Sequence, residues 1–334
     1  MSKAKKLLND PRQVVAESIE GLIAASHGRL EELPPGGVVV RTMIPEAKVG
    51  VLVGGGSGHE PLFAGFIGTN LADGAACGNV FAAPSPDVIL CATQAVDRGR
   101  GVLYLYGNYA GDNMNFDIGA ELAADEGIQV QTVRVWDDVA SAPLERVSDR
   151  RGIAGDVFVI KIAGAAAATG IDLDDVASVT ARARDNTRSM GVALGAGSLP
   201  ETGEPTFELG DDEIEVGMGL HGERGVAREK LQPADVIVTR MMDYILADLP
   251  FESGDEVCLL INNLGASTMI ELLIATRKVH AILSEAGIRV HDTLIGSFCT
   301  SQEMAGYSIS LLKLDEELKA LYDMPAESMA LIKR

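Results

Sequence analysis

Apolar residues recur at helical spacing in some segments of the chain and crowd into short continuous runs in others. The spacing of Val14, Val15, Ile19, Leu22 and Ile23 predicts a helix over 11–25, with Asp10 as its cap and Pro11 at its first position. Further helices are predicted over 62–67, 87–97, 116–125, 163–168 and 174–189. The segment 267–285 is amphipathic, and its His280, at helical spacing from Leu273 and Leu283, is expected to pack. The charged segment 313–321 reads as a solvated closing helix. Strands are predicted over 38–42, 48–53, 101–106, 129–135, 157–160, 257–261 and 289–294, with a short one over 213–216, and 48–53 and 101–106 read as buried ones. Strands alternating with helices predict an α/β protein of two α/β domains, over 1–188 and 189–334, each a sheet flanked by helices. The site is expected in strand-end loops at the domain junction.

Three of those strand ends carry glycine-rich polar loops. The run 48–53 passes directly into Gly54-Gly-Gly-Ser-Gly-His-Glu-Pro61. It is neither a P-loop, for it lacks G-x-x-x-x-G-K-[ST], nor a nucleophile elbow, because the residue two after Ser57 is His59. The plain reading is a tight turn in which His59 bonds backbone. The run 101–106 ends in Gly107-Asn-Tyr-Ala-Gly-Asp-Asn-Met-Asn-Phe116, where Asp112 falls at a predicted helix start and reads most plainly as its cap. Two successive strands each sending a polar loop to one sheet edge favour a ligand there. The third stretch, Glu215-Val-Gly-Met-Gly-Leu-His-Gly-Glu-Arg-Gly225, sets His221 in a glycine-flanked turn. In isolation it admits a hairpin with an incidental histidine, a functional imidazole with a lone pair to give, or a dinucleotide loop through Gly217, Gly219 and Gly222. The charged residues 223–230 and Pro233 leave little room for the helix that the dinucleotide reading needs. Asn262-Asn-Leu-Gly265 is a further strand-to-helix loop.

Composition narrows the partners. A formal charge of −20 argues against nucleic acid and against an anionic membrane surface. Hydrophobic residues make up 47% of the 334 and aromatic residues 4%, which suits a tightly packed α/β core. Cys77, Cys91, Cys258 and Cys299 are far apart, without C-x-x-C, so no disulfide framework or zinc site is expected. With neither a signal peptide nor a membrane span evident, a cytoplasmic protein is expected.

Taken together, the three loops, Asn262-Asn-Leu-Gly265 and Met304-Ala-Gly-Tyr-Ser-Ile-Ser-Leu-Leu-Lys-Leu-Asp315 resemble the substrate-binding K subunit of the dihydroxyacetone kinases, over essentially the whole chain. The resemblance implies a two-domain subunit, usually a homodimer, whose histidine forms a hemiaminal with a ketone. It implies that His221 is that anchor, that His59 hydrogen-bonds the substrate, that Asp112 takes the proton of the attacking hydroxyl, and that Gly56, Ser57 and Gly58 cradle the sugar. It implies no cofactor on this chain. The phosphoryl group would come from an L-type nucleotide-binding subunit carrying ATP with magnesium, or ADP recharged by a phosphotransferase-system protein. Better-known members have lysine where this chain has Gly107, which implies a roomier pocket and a ketose larger than dihydroxyacetone, such as erythrulose. The alternative is a non-catalytic ketose sensor that signals to a transcription regulator. Such a sensor needs His221 but has no use for Asp112.

Overall fold

The computed structural model describes residues 4–334. An initial turn over Pro11–Gln13, capped by Asp10, leads into α1 (Val14–Ala25). Strands β1 (Leu30–Leu33), β2 (Val38–Arg41), β3 (Gly50–Ser57), β4 (Gly74–Val80), β5 (Val102–Gly107) and β6 (Val130–Val135) follow, with α2 (Pro86–Val96) and α3 (Ala110–Asp125) among them. They form one sheet in the order β1-β2-β4-β3-β5-β6. β4, β3, β5 and β6 run parallel, so their carboxyl ends share an edge. Parallel strands covered on both faces need apolar side chains throughout, and Val51, Leu52 and Val53 are fully buried. Ile89, Ala92 and Val96 of α2 and Phe116 of α3 pack with Leu52, Tyr104 and Tyr106. Where a helix was expected over 62–67 there is only a 3-10 turn at Ala64–Phe66.

One buried charge cluster pins this sheet. Asp73 is fully buried and accepts from Lys48, from Arg41 at 3.2 Å and from the Val51 amide at 3.0 Å. Asp73→Ala leaves Lys48 desolvated without its counter-charge. The expected cost is about 3–5 kcal/mol, read as a fall in the urea midpoint at unchanged m-value.

The strand expected over 157–160 is instead part of α4 (Asp156–Ala168). A short apolar run does not by itself distinguish a buried strand from a buried helix. Here the alanines that follow favour continuous helix, and residues 157–167 are buried all round. Gly164 is required because a Cβ there would lie 2.3 Å from Leu71 Cα.

α5 (Leu173–Asp185) stops short of the expected 189, and β7 (Thr187–Gly195) begins at once. β8 (Glu213–Val216), β9 (Ala227–Lys230), α6 (Ala234–Asp248), β10 (Glu256–Asn263), α7 (Met269–Glu285), β11 (Arg289–Gly296) and β12 (Ala305–Lys313) complete a second six-stranded sheet, ordered β11-β10-β12-β7-β8-β9. Only the β10–β11 pair in it is parallel. α6 and α7 cover the sheet through Val238, Met241, Ile245, Leu272, Val279 and Leu283. Thr268 and Glu271 form a capping box at the start of α7. His280, expected to pack, lies on the exposed face, with Nε2 3.1 Å from Thr293 Oγ1, because the buried stripe runs through Leu272, Ala275, Val279 and Leu283. α8 (Glu316–Asp323) buries Leu318, Leu321 and Tyr322, so the closing helix is not wholly solvated. β13 (Ala326–Glu327) and β14 (Ile332–Lys333) end the fold.

The chain divides into two compact units, each discontinuous in sequence. One contains residues 7–135, 158–182 and 318–334; the other contains 136–157, 183–317 and the described residues up to Lys6. The boundary expected after 188 therefore falls inside β7. Hydrogen bonds explain the interleaving: the Ser189 amide donates to the Asp137 carbonyl at 2.8 Å, and the Thr69 amide to the Glu327 carbonyl at 2.9 Å. Among the described residues, no helix is long and apolar enough to cross a membrane.

Candidate active site

β3 ends at the carboxyl edge of its sheet in the Gly54 to Pro61 loop. Gly56 has no room for a side chain, since a Cβ would lie 2.7 Å from the Ala82 amide nitrogen. Ser57 Oγ donates to the Gly78 carbonyl at 2.7 Å, and Gly58, at φ +102°, donates its amide to Glu60 at 3.0 Å. Together these bonds hold the loop in one shape. His59 is only 4% exposed, its ring 5.0 Å from that of Phe81.

β5 ends beside it: Val53 pairs with Leu105, and the buried Gly107 closes the strand opposite Val135. α3 begins three residues on, with Tyr109 at the cap position and no side-chain cap. Asp112 is thus not the cap but sits within the first turn, where unsatisfied amides favour a carboxylate. Asn113 Nδ2 donates to Asn108 Oδ1 at 2.8 Å, bracing the loop across that turn. The structure therefore brings His59, Asp112, Gly107 and the Gly56–Gly58 segment to adjacent strand ends of one unit.

His221 belongs to the other unit. It lies in the connection between the antiparallel strands β8 and β9, so the hairpin reading of the local shape holds. Gly217 (φ +81°) and Gly222 (φ +89°) take left-handed angles, and the loop passes into strand β9 and not directly into a helix, as a dinucleotide loop would need. The turn is tied at several points. The Gly217 amide donates to the Gly191 carbonyl at 2.7 Å, the Gly219 amide to the Glu223 carbonyl at 3.0 Å, and Ser301 Oγ to the Leu220 carbonyl. Asn262 positions the Ser301 segment by accepting from the Phe298 and Cys299 amides at 3.0 and 2.9 Å. This gives the Asn262-Asn-Leu-Gly265 loop a structural task near the turn.

The His221 side chain is about a quarter exposed (26%). Its Nδ1 lies 3.0 Å from Glu223 Oε1, while its own amide donates to Glu223 Oε2 at 2.9 Å. Burial alone would push the Glu223 carboxyl up; the His221 ring and Arg151 outweigh it and hold it at about 2. Arg151 Nη1 is 3.9 Å from Glu223, and its Nε and Nη2 clamp Asp138 at 3.1 and 2.8 Å. Sequence reasoning did not single out these three residues. A carboxylate two places after the histidine in a glycine turn is a legible signal for Glu223; Arg151 and Asp138 leave none, being distant in the chain.

A protein-family profile described as the Dak1 domain matches residues 20–330. The dihydroxyacetone-binding subunit of PTS-dependent dihydroxyacetone kinase 2 from Listeria innocua is 47% identical, over 97% of this chain and 98% of its own. The L-erythrulose 1-kinase of Mycolicibacterium smegmatis is 40% identical over 97% of this chain, which spans 57% of that longer protein. Among solved structures, the dihydroxyacetone kinase of C. freundii superposes with a TM-score of 0.90 at 34% identity, over 98% of this chain and 60% of its own. A dihydroxyacetone kinase operon co-activator also gives 0.90, at 28% identity over 97% of this chain and 99% of its own.

Proposed function

This chain belongs to the Dak1 domain family, and from that premise we propose that it is the ketose-binding subunit of a small-ketose kinase. His221 Nε2 adds to the ketone carbonyl carbon. The carbonyl π pair moves onto oxygen, which takes a proton from solvent, and the positive charge left on the ring faces the Glu223 carboxylate. His59 hydrogen-bonds the bound sugar, and the Gly56–Gly58 backbone cradles it. Asp112 removes the proton of the terminal hydroxyl as that oxygen attacks phosphorus. Covalent capture selects carbonyl compounds over polyols such as glycerol, which offer no carbon to add to. It also fixes the hydroxyl for in-line attack, and positioning supplies most of the catalysis in phosphoryl transfer.

The observation that carries this reading is His221 in its glycine turn, one ring nitrogen held by a carboxylate. The phosphoryl group is proposed to arrive on an L-type partner subunit, as ATP with magnesium or as ADP recharged by a phosphotransferase system. The name of the Listeria relative supports the second source. This subunit is proposed to act as a homodimer. Intact-mass measurement after exposure to a panel of ketoses tests the reading. The expected gain is the full mass of one ketose; a lysine imine would instead lose one water, and no gain at all would refute covalent capture.

Gly107, where the better-known members carry lysine, together with the erythrulose kinase relative, supports a four-carbon substrate. The reconstituted pair is expected to phosphorylate erythrulose with a kcat/KM at least equal to that for dihydroxyacetone. A strong preference for the three-carbon sugar would remove this part of the proposal. The likeness to the operon co-activator supports a second reading, a ketose sensor. Asp112 has no task in such a protein, and turnover with any nucleotide-bearing partner would exclude it.

A further inference from the structure

We infer that Glu223, braced by Arg151 and Asp138, is a positioning residue that decides which nitrogen of His221 attacks the ketose. The inference rests on the covalent role proposed above for His221.

A neutral imidazole carries its proton on one nitrogen and its lone pair on the other, and only the lone pair can add to a carbonyl. An ionised carboxylate accepts hydrogen bonds and donates none. The 3.0 Å contact between Glu223 Oε1 and His221 Nδ1 therefore places the proton on Nδ1 and the lone pair on Nε2. The other oxygen of the same carboxylate holds the His221 amide at 2.9 Å. One side chain thus grips both the ring and the backbone that carries it, and limits rotation of the imidazole.

Glu223 is itself held in place. Arg151 is clamped by two hydrogen bonds to the fully buried Asp138, reaches the Gly217 carbonyl at 3.3 Å, and directs Nη1 toward Glu223. Gly219 makes the arrangement possible: a Cβ there would lie 2.3 Å from Glu223 Oε2 and 2.5 Å from Arg151 Nη1. The carboxyl, held at about 2, stays ionised throughout the neutral range. It therefore also offsets the positive charge that the ring acquires when Nε2 bonds to carbon.

Long-range proton–nitrogen NMR of the ketose-free full chain reads the tautomer directly, and intact mass against dihydroxyacetone concentration reads adduct affinity. In the wild type, His221 is expected to carry its proton on Nδ1. In Glu223→Ala the ring is expected to shift toward the Nε2-protonated form, and adduct affinity to fall about a hundredfold, as for a misplaced reacting group. Glu223→Gln offers one oxygen where the ring and the backbone amide each need one, and its NH2 can donate to Nδ1, so the Nδ1-protonated form and the affinity are expected to return only in part. A wild-type ring protonated on Nε2 would overturn the inference, and so would an alanine variant with tautomer and adduct unchanged. The wild-type spectrum decides even where the alanine variant fails to fold. An Nδ1-protonated ring that forms no adduct with any ketose would refute the proposed function and leave the orientation of the ring intact.

Discussion

In His221→Ala, the ketose-dependent mass increase is expected to vanish and turnover with the partner subunit to fall at least a thousandfold. Well-oriented intramolecular reactions reach effective molarities of roughly 10⁵–10⁸ M, and a tethered ketose draws on that advantage at its terminal hydroxyl. Without the tether, a small flexible sugar has only hydrogen bonds to fix it, and water competes for each of them. The turn itself should survive the substitution. Its shape is set by the Gly217 and Gly219 amides and by Ser301 on the Leu220 carbonyl, none of which uses the imidazole. Lysine cannot substitute for the histidine undetected, because its imine with a ketose is lighter by one water than the hemiaminal.

The second large effect separates binding from chemistry. Asp112→Asn is expected to keep the adduct within a few-fold of wild type while turnover drops about 10²–10⁴-fold, the usual worth of a general base. Asparagine matches the shape of aspartate but cannot accept a proton. Asp112 lies in the first turn of α3, where the loss of its charge costs about 0.3–1 kcal/mol of helix-terminus interaction. The ring of His221 takes its carboxylate partner from Glu223, so removing the charge of Asp112 leaves that contact in place. Equal loss of adduct in both variants would show that the two roles are wrongly divided.

Much of the site was legible because its loops interrupt the hydrophobic pattern abruptly. Residues 49–53 and 101–106 carry no charge, and each run gives way at once to glycine and polar residues at a strand end. β4 was not legible. It is built from Gly74, Ala75, Ala76, Cys77 and Gly78, with no branched residue before Val80. Close packing demands that poverty, since a Cβ on Gly74 would lie 2.7 Å from Val96 Cγ1. The start of β7 resembled the tail of the charged helix before it. Arg188 is nevertheless buried against Asp248, and Ser189 donates to Ser310 at 2.6 Å. Both partners are remote in sequence, so no local pattern marks them. The residues 157–160 failed differently, since a short apolar run satisfies strand and helix alike until the neighbouring alanines are weighed. Arg151 and Asp138 were invisible for the same reason as Arg188: their meaning is a contact made by the fold.

Ketone capture by His221 is tested most directly by carbon NMR of dihydroxyacetone isotope-labelled at its carbonyl, bound to the wild-type chain and to His221→Ala. The wild type should convert the trigonal carbonyl signal into that of a tetrahedral carbon bonded to nitrogen, and the variant should leave it trigonal. A carbonyl that stays trigonal on the wild-type protein while the partner subunit phosphorylates the sugar would contradict the account.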